Sequence, residues 1–162
     1  MQPIYIFDLD GTLALIEHRL HFIQSSPKDW RSFFAACKDD KPNLPVIRTL
    51  QSLRASGAEI WIWSGRSDEV RAPTIEWLCK HGCMGNGRTA TLPWWPFAAP
   101  ERFRMRKAGD YRDDVVVKSE WLAEVEPPEY KRLTAVFDDR ARVVQMWRDA
   151  GLTCFHVADG NF

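Results

Sequence analysis

Short runs of consecutive apolar residues recur along the chain, each closed by a polar side chain. Ile4-Tyr5-Ile6-Phe7 ends at Asp8, Ile60-Trp61-Ile62-Trp63 at Ser64, and Leu133-Thr134-Ala135-Val136-Phe137 at Asp138. Cys154-Phe155-His156-Val157 is a fourth run and Phe103-Arg104-Met105-Arg106 a weaker fifth. Runs without alternation suit strands covered on both faces, as in parallel sheets. Between them lie stripes at helical spacing. Val46, Ile47, Leu50 and Leu53 precede Gly57; Val70, Thr74, Trp77 and Leu78 precede Gly82; Val143, Val144 and Trp147 precede Gly151. Glycine just past a stripe is a common helix stop. Residues 114–125 form a fourth predicted helix, with Asp114 as its expected N-cap and as a partner of Lys118 one turn on. Strands alternating with helices predict an α/β domain: a Rossmann-like, mostly parallel sheet with helices on both faces.

Two stretches depart from the alternation. Residues 13–45 carry Trp30, Phe33 and Phe34 at helical spacing between Pro27 and Pro42, and read as a small helical cap. Residues 82–101 are rich in Gly and Pro around Trp94-Trp95-Pro96-Phe97, and read as a long loop. Loops of that length are uncommon and often functional. The whole chain, 1–162, reads as one domain.

Composition narrows the function. Lys and Arg number 22, as do Asp and Glu, so the net charge is zero. That argues against binding polyanions over the whole surface. A local patch stays open: Arg102, Arg104, Arg106, Lys107 and Arg112 cluster in sequence and could guide a nucleic-acid end. A solvated strand edge accounts for them equally well. No apolar run approaches the roughly 18 residues of a membrane span, and Met1 to Phe7 is too short for a signal peptide. The expected compartment is the cytoplasm, no membrane partner is expected, and self-association stays open. Cys37, Cys79, Cys83 and Cys154 are then reduced thiols. Cys79, His81 and Cys83 lack a fourth zinc ligand, and a packed helix end explains them better. The eight Trp are expected mainly in the core.

Open parallel sheets build their sites beyond the carboxyl ends of the strands. Asp8, Ser64, Arg106 and Asp138 all fall there, and so converge from distant parts of the sequence. With Asp10 and Asp139, four carboxylates gather. Two unit charges about 4 Å apart repel by roughly 4 kcal/mol at an effective dielectric of about 20, so the cluster calls for a cation. Hard oxygen donors favour magnesium. Ser64-Gly65-Arg66 follows a strand and is expected to open a helix, where N–H groups and a hydroxyl can hold an anion. Lys118 can offset phosphate charge and keep a nucleophile ionised. An aspartate, Asp8, can attack phosphorus and form an aspartyl-phosphate that water cleaves. Asp10 can protonate the leaving oxygen and later deprotonate that water.

These residues resemble the haloacid dehalogenase superfamily. Phe7-Asp8-Leu9-Asp10-Gly11-Thr12-Leu13 is similar to its first motif, Ser64-Gly65-Arg66 to its second, Lys118 to its third and Asp138-Asp139 to its fourth. A second aspartate in the first motif implies phosphatase or phosphotransferase chemistry. Over nearly the whole chain there is a further resemblance, to the 3′-phosphatase domain of phage polynucleotide kinase–phosphatases and their stand-alone relatives. It rests on the 109–118 segment and on the tail from Phe137 to Phe162. It implies substrate roles for Arg19, Arg66, Arg106 and Asp114. It also implies metal on Asp8, the Asp10 carbonyl and Asp138, with Asp139 assisting. No kinase half is visible, and Gly82, Gly87, Arg88 and Thr89 imitate a P-loop without its lysine or preceding strand. The 94–97 aromatics look inserted relative to shorter members. Three functions compete: 3′-phosphate removal from polynucleotide ends, hydrolysis of nucleoside monophosphates or other small esters, and a silent phosphate-binding module. Intact motifs argue against the last.

Overall fold

The computed structural model describes residues 1–24, 26–84 and 102–160. The aromatic run at 94–97 and the imitation P-loop at 87–89 lie outside them. Five strands, β1 (Ile4–Phe7), β4 (Glu59–Ser67), β5 (Phe103–Arg106), β6 (Leu133–Asp138) and β7 (Cys154–His156), form one sheet in the order β5-β4-β1-β6-β7. All four ladders are parallel. Two-residue strands β2 (Ala14–Leu15) and β3 (Lys41–Pro42) pair separately and antiparallel.

The strand residues alternate between two cores. Phe7 and Ile62 face α3 (Leu44–Ala55) and α4 (Arg71–Lys80), packing with Ile47, Leu50, Trp77 and Leu78. Ile4, Ile6, Trp61 and Trp63 face the other way, toward α5 (Asp114–Ala123) and α7 (Ala141–Asp149), among Leu122, Val143, Val144 and Trp147. Both faces are covered, so the three central strands, β4, β1 and β6, are built on apolar runs. Trp61, Trp63, Trp77 and Trp147 are core residues, whereas Trp30 is 39% exposed. All four cysteines are free thiols; the ring of His81 packs on Trp77 at the end of α4.

Three expectations need correction. The second strand does not stop at Ser64: β4 runs to Ser67, with a register shift against β5 between Ser64 and Ser67. No helix opens at Arg66. A 3-10 turn at Asp68–Val70 intervenes, capped by the Ser67 side chain, and α4 begins only at Arg71. The polar run Ser64–Ser67 stays in the strand because its side chains are buried against partners that local pattern cannot reveal. Asp114 is not the cap of α5 either. Asp113 takes that place, its carboxylate accepting from the Val115 amide at 2.9 Å, which frees Asp114 to face elsewhere.

Residues 13–45 hold β2, β3, a 3-10 turn at Glu17–Arg19, α1 (His21–Gln24), α2 (Trp30–Ala35) and a second 3-10 turn at Ala36–Asp39. Ile16, Ile23 and Phe33 form a small core of their own there. A four-residue helix, α6 (Pro127–Tyr130), precedes β6. Among the described residues, no helix is long and apolar enough to cross a membrane.

Candidate active site

Parallel pairing of β1 with β6 sets Asp8 beside Asp138. The Asp8 amide donates to the Phe137 carbonyl at 2.9 Å, carrying the ladder one step past β1. Lys118, from the second turn of α5, reaches between them: its Nζ donates to Asp8 Oδ1 at 2.6 Å and to Asp138 Oδ2 at 2.8 Å. All three side chains are almost fully buried. Asp138 is held further by the Arg140 amide and by the indole N–H of Trp147 at 3.3 Å. Lys118 hydrogen-bonds these two and not Asp114, whose charge still favours its protonated form from farther away.

Asp139 completes a trio. Carboxylate oxygens of Asp8, Asp138 and Asp139 lie within 4.8 Å of one another, the one group of this kind among the described residues. The Thr12 hydroxyl donates to Asp139 Oδ1 at 3.3 Å, while Oδ2 is buried and has no hydrogen-bond partner. Gly11, at φ +85°, and Gly160 both press against this carboxylate, and a Cβ at either would collide with Oδ2. Three buried carboxylates face one ammonium, so with all three ionised the site would carry two excess negative charges. Burial and the neighbouring Asp138 push Asp139 up to about 7, against Lys118 and Arg140. Burial likewise raises Asp8, against Lys118, while Asp138 and Asp139 add to the rise. Lys118 itself is held protonated by Asp138 and Asp8 in spite of its burial. A hard divalent cation would balance this charge and satisfy the orphaned oxygen, so the donor set fits magnesium.

Asp10 lies in a separate, balanced network. After β1 the chain turns tightly, the Leu9 carbonyl accepting from the amides of Leu13 and Ala14. This turn directs the Asp10 carboxylate away from the trio. Its Oδ1 accepts from Arg19 Nη2 at 2.7 Å and from Arg66 through both Nε, at 3.1 Å, and Nη2. The same guanidiniums grip Asp40: Arg19 Nε donates to Oδ1 at 2.7 Å and Arg66 Nη2 to Oδ2 at 2.8 Å. Burial would raise Asp10, but Arg66 and Arg19 outweigh it and hold the carboxyl at about 2. Two buried cations thus match two buried anions.

A third cluster borders the opening. The Asp114 carboxylate accepts from Arg106 on one oxygen and from Arg140 Nη1 at 2.6 Å on the other. Gly65 permits this, since a Cβ there would lie 2.5 Å from Asp114 Oδ1. Asp8, Asp10, Gly65, Arg66, Arg106, Asp114 and Lys118 all line one cleft of about 940 Å³. Arg19 and Ser64, both expected to meet substrate, are fully buried and do not line it. Arg19 stands behind Asp10, and the Ser64 hydroxyl accepts from the Arg66 amide at 3.2 Å. Asp40 was missed in the sequence. Nothing in Asp39-Asp40-Lys41 separates it from a solvated acidic pair. Arg140 was missed too, although it directly follows the last acidic motif.

Comparison with known proteins adds a family. Residues 2–162 match the family model described as the polynucleotide kinase PNKP phosphatase domain. Among solved structures, the chain is similar to one in a Pnkp1/Rnl/Hen1 complex, with a TM-score of 0.74 and 29% identity, covering 99% of this chain and 48% of that one. A structure of the Pnkp1/Rnl/Hen1 RNA repair complex gives the same TM-score and identity over 44% of its chain. The chain therefore spans about half the length of these relatives. A class C acid phosphatase from Bacillus anthracis with tungstate bound shares the fold, with a TM-score of 0.60 and 15% identity over 99% of this chain and 68% of that one. The match over residues 2–162, on a parallel sheet with the acidic motifs at its strand ends, places the chain in the PNKP phosphatase-domain family of haloacid dehalogenase-like hydrolases.

Proposed function

We propose that this protein is a magnesium-dependent phosphomonoesterase that removes 3′-phosphates from polynucleotide ends through an Asp8 aspartyl-phosphate. The observation that carries the reading is Lys118 bridging Asp8 and Asp138 at 2.6 and 2.8 Å, beside an underneutralised acidic trio, at the end of a cleft. An Asp8 oxygen attacks phosphorus, the ester oxygen leaves with a proton, and water then attacks phosphorus to release phosphate and restore the carboxylate. Lys118 keeps positive charge beside the nucleophile throughout. Magnesium on Asp8, Asp138 and Asp139 would supply the charge that offsets the transferring group. The Asp10 carboxylate faces the arginines, so any part of Asp10 in holding the metal falls to its backbone carbonyl.

Asp10 suits the acid–base role with one condition. Held ionised at about 2, it is ready to accept a proton from water. To donate one to the leaving oxygen, it must first come away from at least one guanidinium as substrate enters and take up a proton from solvent. Residues 13–45 act as the cap in this reading, since Ile23, Trp30, Phe33 and Phe34 line the same cleft.

Two things support a nucleic-acid end as the substrate. The family is named for a polynucleotide enzyme, and a 29% identical relative sits in an RNA repair complex. The test is phosphate release with magnesium from a 3′-phosphorylated oligonucleotide, from 3′- and 5′-mononucleotides, and from an aryl phosphate. The oligonucleotide is expected to give the highest kcat/KM. Mononucleotide turnover well above it would replace the reading with a small-molecule phosphatase, and full activity in chelator would remove magnesium.

A further inference from the structure

A single phosphoryl group fills little of the cleft, whose volume of about 940 Å³ is near the top of the range for small-ligand sites. Beyond the catalytic end its lining includes Trp30 of α2 and the 109–113 segment with Tyr111. Tyr111 is 86% exposed, and among the described residues no ring packs on it and no side chain bonds its hydroxyl. A lone exposed aromatic on a protein surface needs no explanation. This one differs in its mount.

The backbone on either side of Tyr111 is braced. Arg106 Nη1 donates to the Arg112 carbonyl at 2.6 Å and to the Asp110 carbonyl at 3.3 Å. The Arg112 guanidinium holds Asp110 Oδ2 at 2.8 Å and Glu120 of α5 at 2.6 Å. Arg106 also grips Asp114, so one guanidinium joins the seat of the ring to the mouth of the phosphate site. Fixing a backbone while leaving its largest side chain in water gains nothing for the core. It does preorganise a flat surface for a ligand.

Charge points to the same kind of ligand. The protein carries no net charge, yet the cleft is lined by nine Lys or Arg side chains against six Asp or Glu. A π-face flanked by cations is how proteins hold single-stranded nucleic acid without regard to sequence. We infer that Tyr111 is a stacking platform for a nucleobase at the 3′ end of the substrate strand. This rests on the nucleic-acid reading of the site. The platform accepts any base and discriminates against an end that lacks one.

The test compares kcat/KM, with magnesium, for a 3′-phosphorylated oligonucleotide and for the same strand made abasic at its terminal or penultimate position. Wild-type, Tyr111→Ala and Tyr111→Phe proteins are assayed in parallel. Tyr111→Ala is expected to cost the intact strand roughly ten- to a hundredfold more than one of the abasic strands, the range of base–aromatic stacking. Tyr111→Phe should restore most of the loss. Equal losses on intact and abasic strands, or no loss on any, would overturn the inference. If the wild-type protein fails on every oligonucleotide, the polynucleotide reading fails instead. The same ratio is then read on a nucleoside 3′-monophosphate against ribose 3-phosphate, where a selective loss upholds stacking and its absence ends it. Because the ring is exposed, an unchanged melting temperature should accompany each variant.

Discussion

Asp40 accepts hydrogen bonds from Arg19 and Arg66 in a pocket where all three side chains are fully shielded from water. Removing it leaves two buried guanidiniums sharing one carboxylate, that of Asp10. Breaking such a pair costs about 3–5 kcal/mol, so Asp40→Ala should lower the urea midpoint markedly, and a change near zero would contradict the network. Asp139 makes a pH prediction of defined sign. Its folded value of about 7 lies above its ordinary 3.8, so its contribution to stability is complete below about 3.8 and lost as pH rises through about 7. The metal-free protein should therefore weaken over that window, Asp139→Asn should flatten the slope, and magnesium should stabilise more at pH 8 than at pH 5. Asp10 runs the other way. Its stabilising share is present above its ordinary 3.8 and lost only as pH falls through about 2. Asp8, Lys118 and Asp138 were legible in the sequence because each sits at a strand end or on an adjoining helix. Asp40 was not, because its partners come from positions 19 and 66 and only folding brings them together.

Among the elements, the three central strands could be read from their apolar runs because both faces of the sheet are covered. The polar end of β4 could not. Ser64–Ser67 resembles a loop, and it remains strand because Arg66 is buried by ion pairs and Met105 and Arg106 of β5 pair alongside. That bulged end brings Gly65 against Asp114, which predicts a specific failure. A Cβ at Gly65 would displace the Asp114 carboxylate and loosen Arg106 and Arg140 together. Gly65→Ala should lower kcat/KM by about tenfold or more, the scale of losing a charged hydrogen bond, while circular dichroism stays unchanged. An unimpaired Gly65→Ala enzyme would show that the Asp114 brace is dispensable.

The molecule as a whole carries its charge unevenly. The acidic trio is two charges short of balance, the Asp10–Asp40 network is neutral, and Asp114 sits between two arginines. Over all the charged residues that line it, nine Lys or Arg against six Asp or Glu, the cleft is nonetheless cationic in a protein of no net charge. If three excess charges meet the strand, log(1/KM) for an oligonucleotide should fall against log salt with a slope of about −2, from about −0.7 per neutralised phosphate. A slope near zero would mean that the strand beyond the phosphate is not held by charge. The most direct test of the whole account lies at Asp8. Protein quenched in acid during turnover of a 3′-phosphorylated oligonucleotide with magnesium should yield, by peptide mass spectrometry, a phosphoryl adduct on Asp8. The Asp8→Asn protein, folded as before, should yield neither adduct nor turnover. An adduct on another residue, or turnover undiminished in Asp8→Asn, would contradict it.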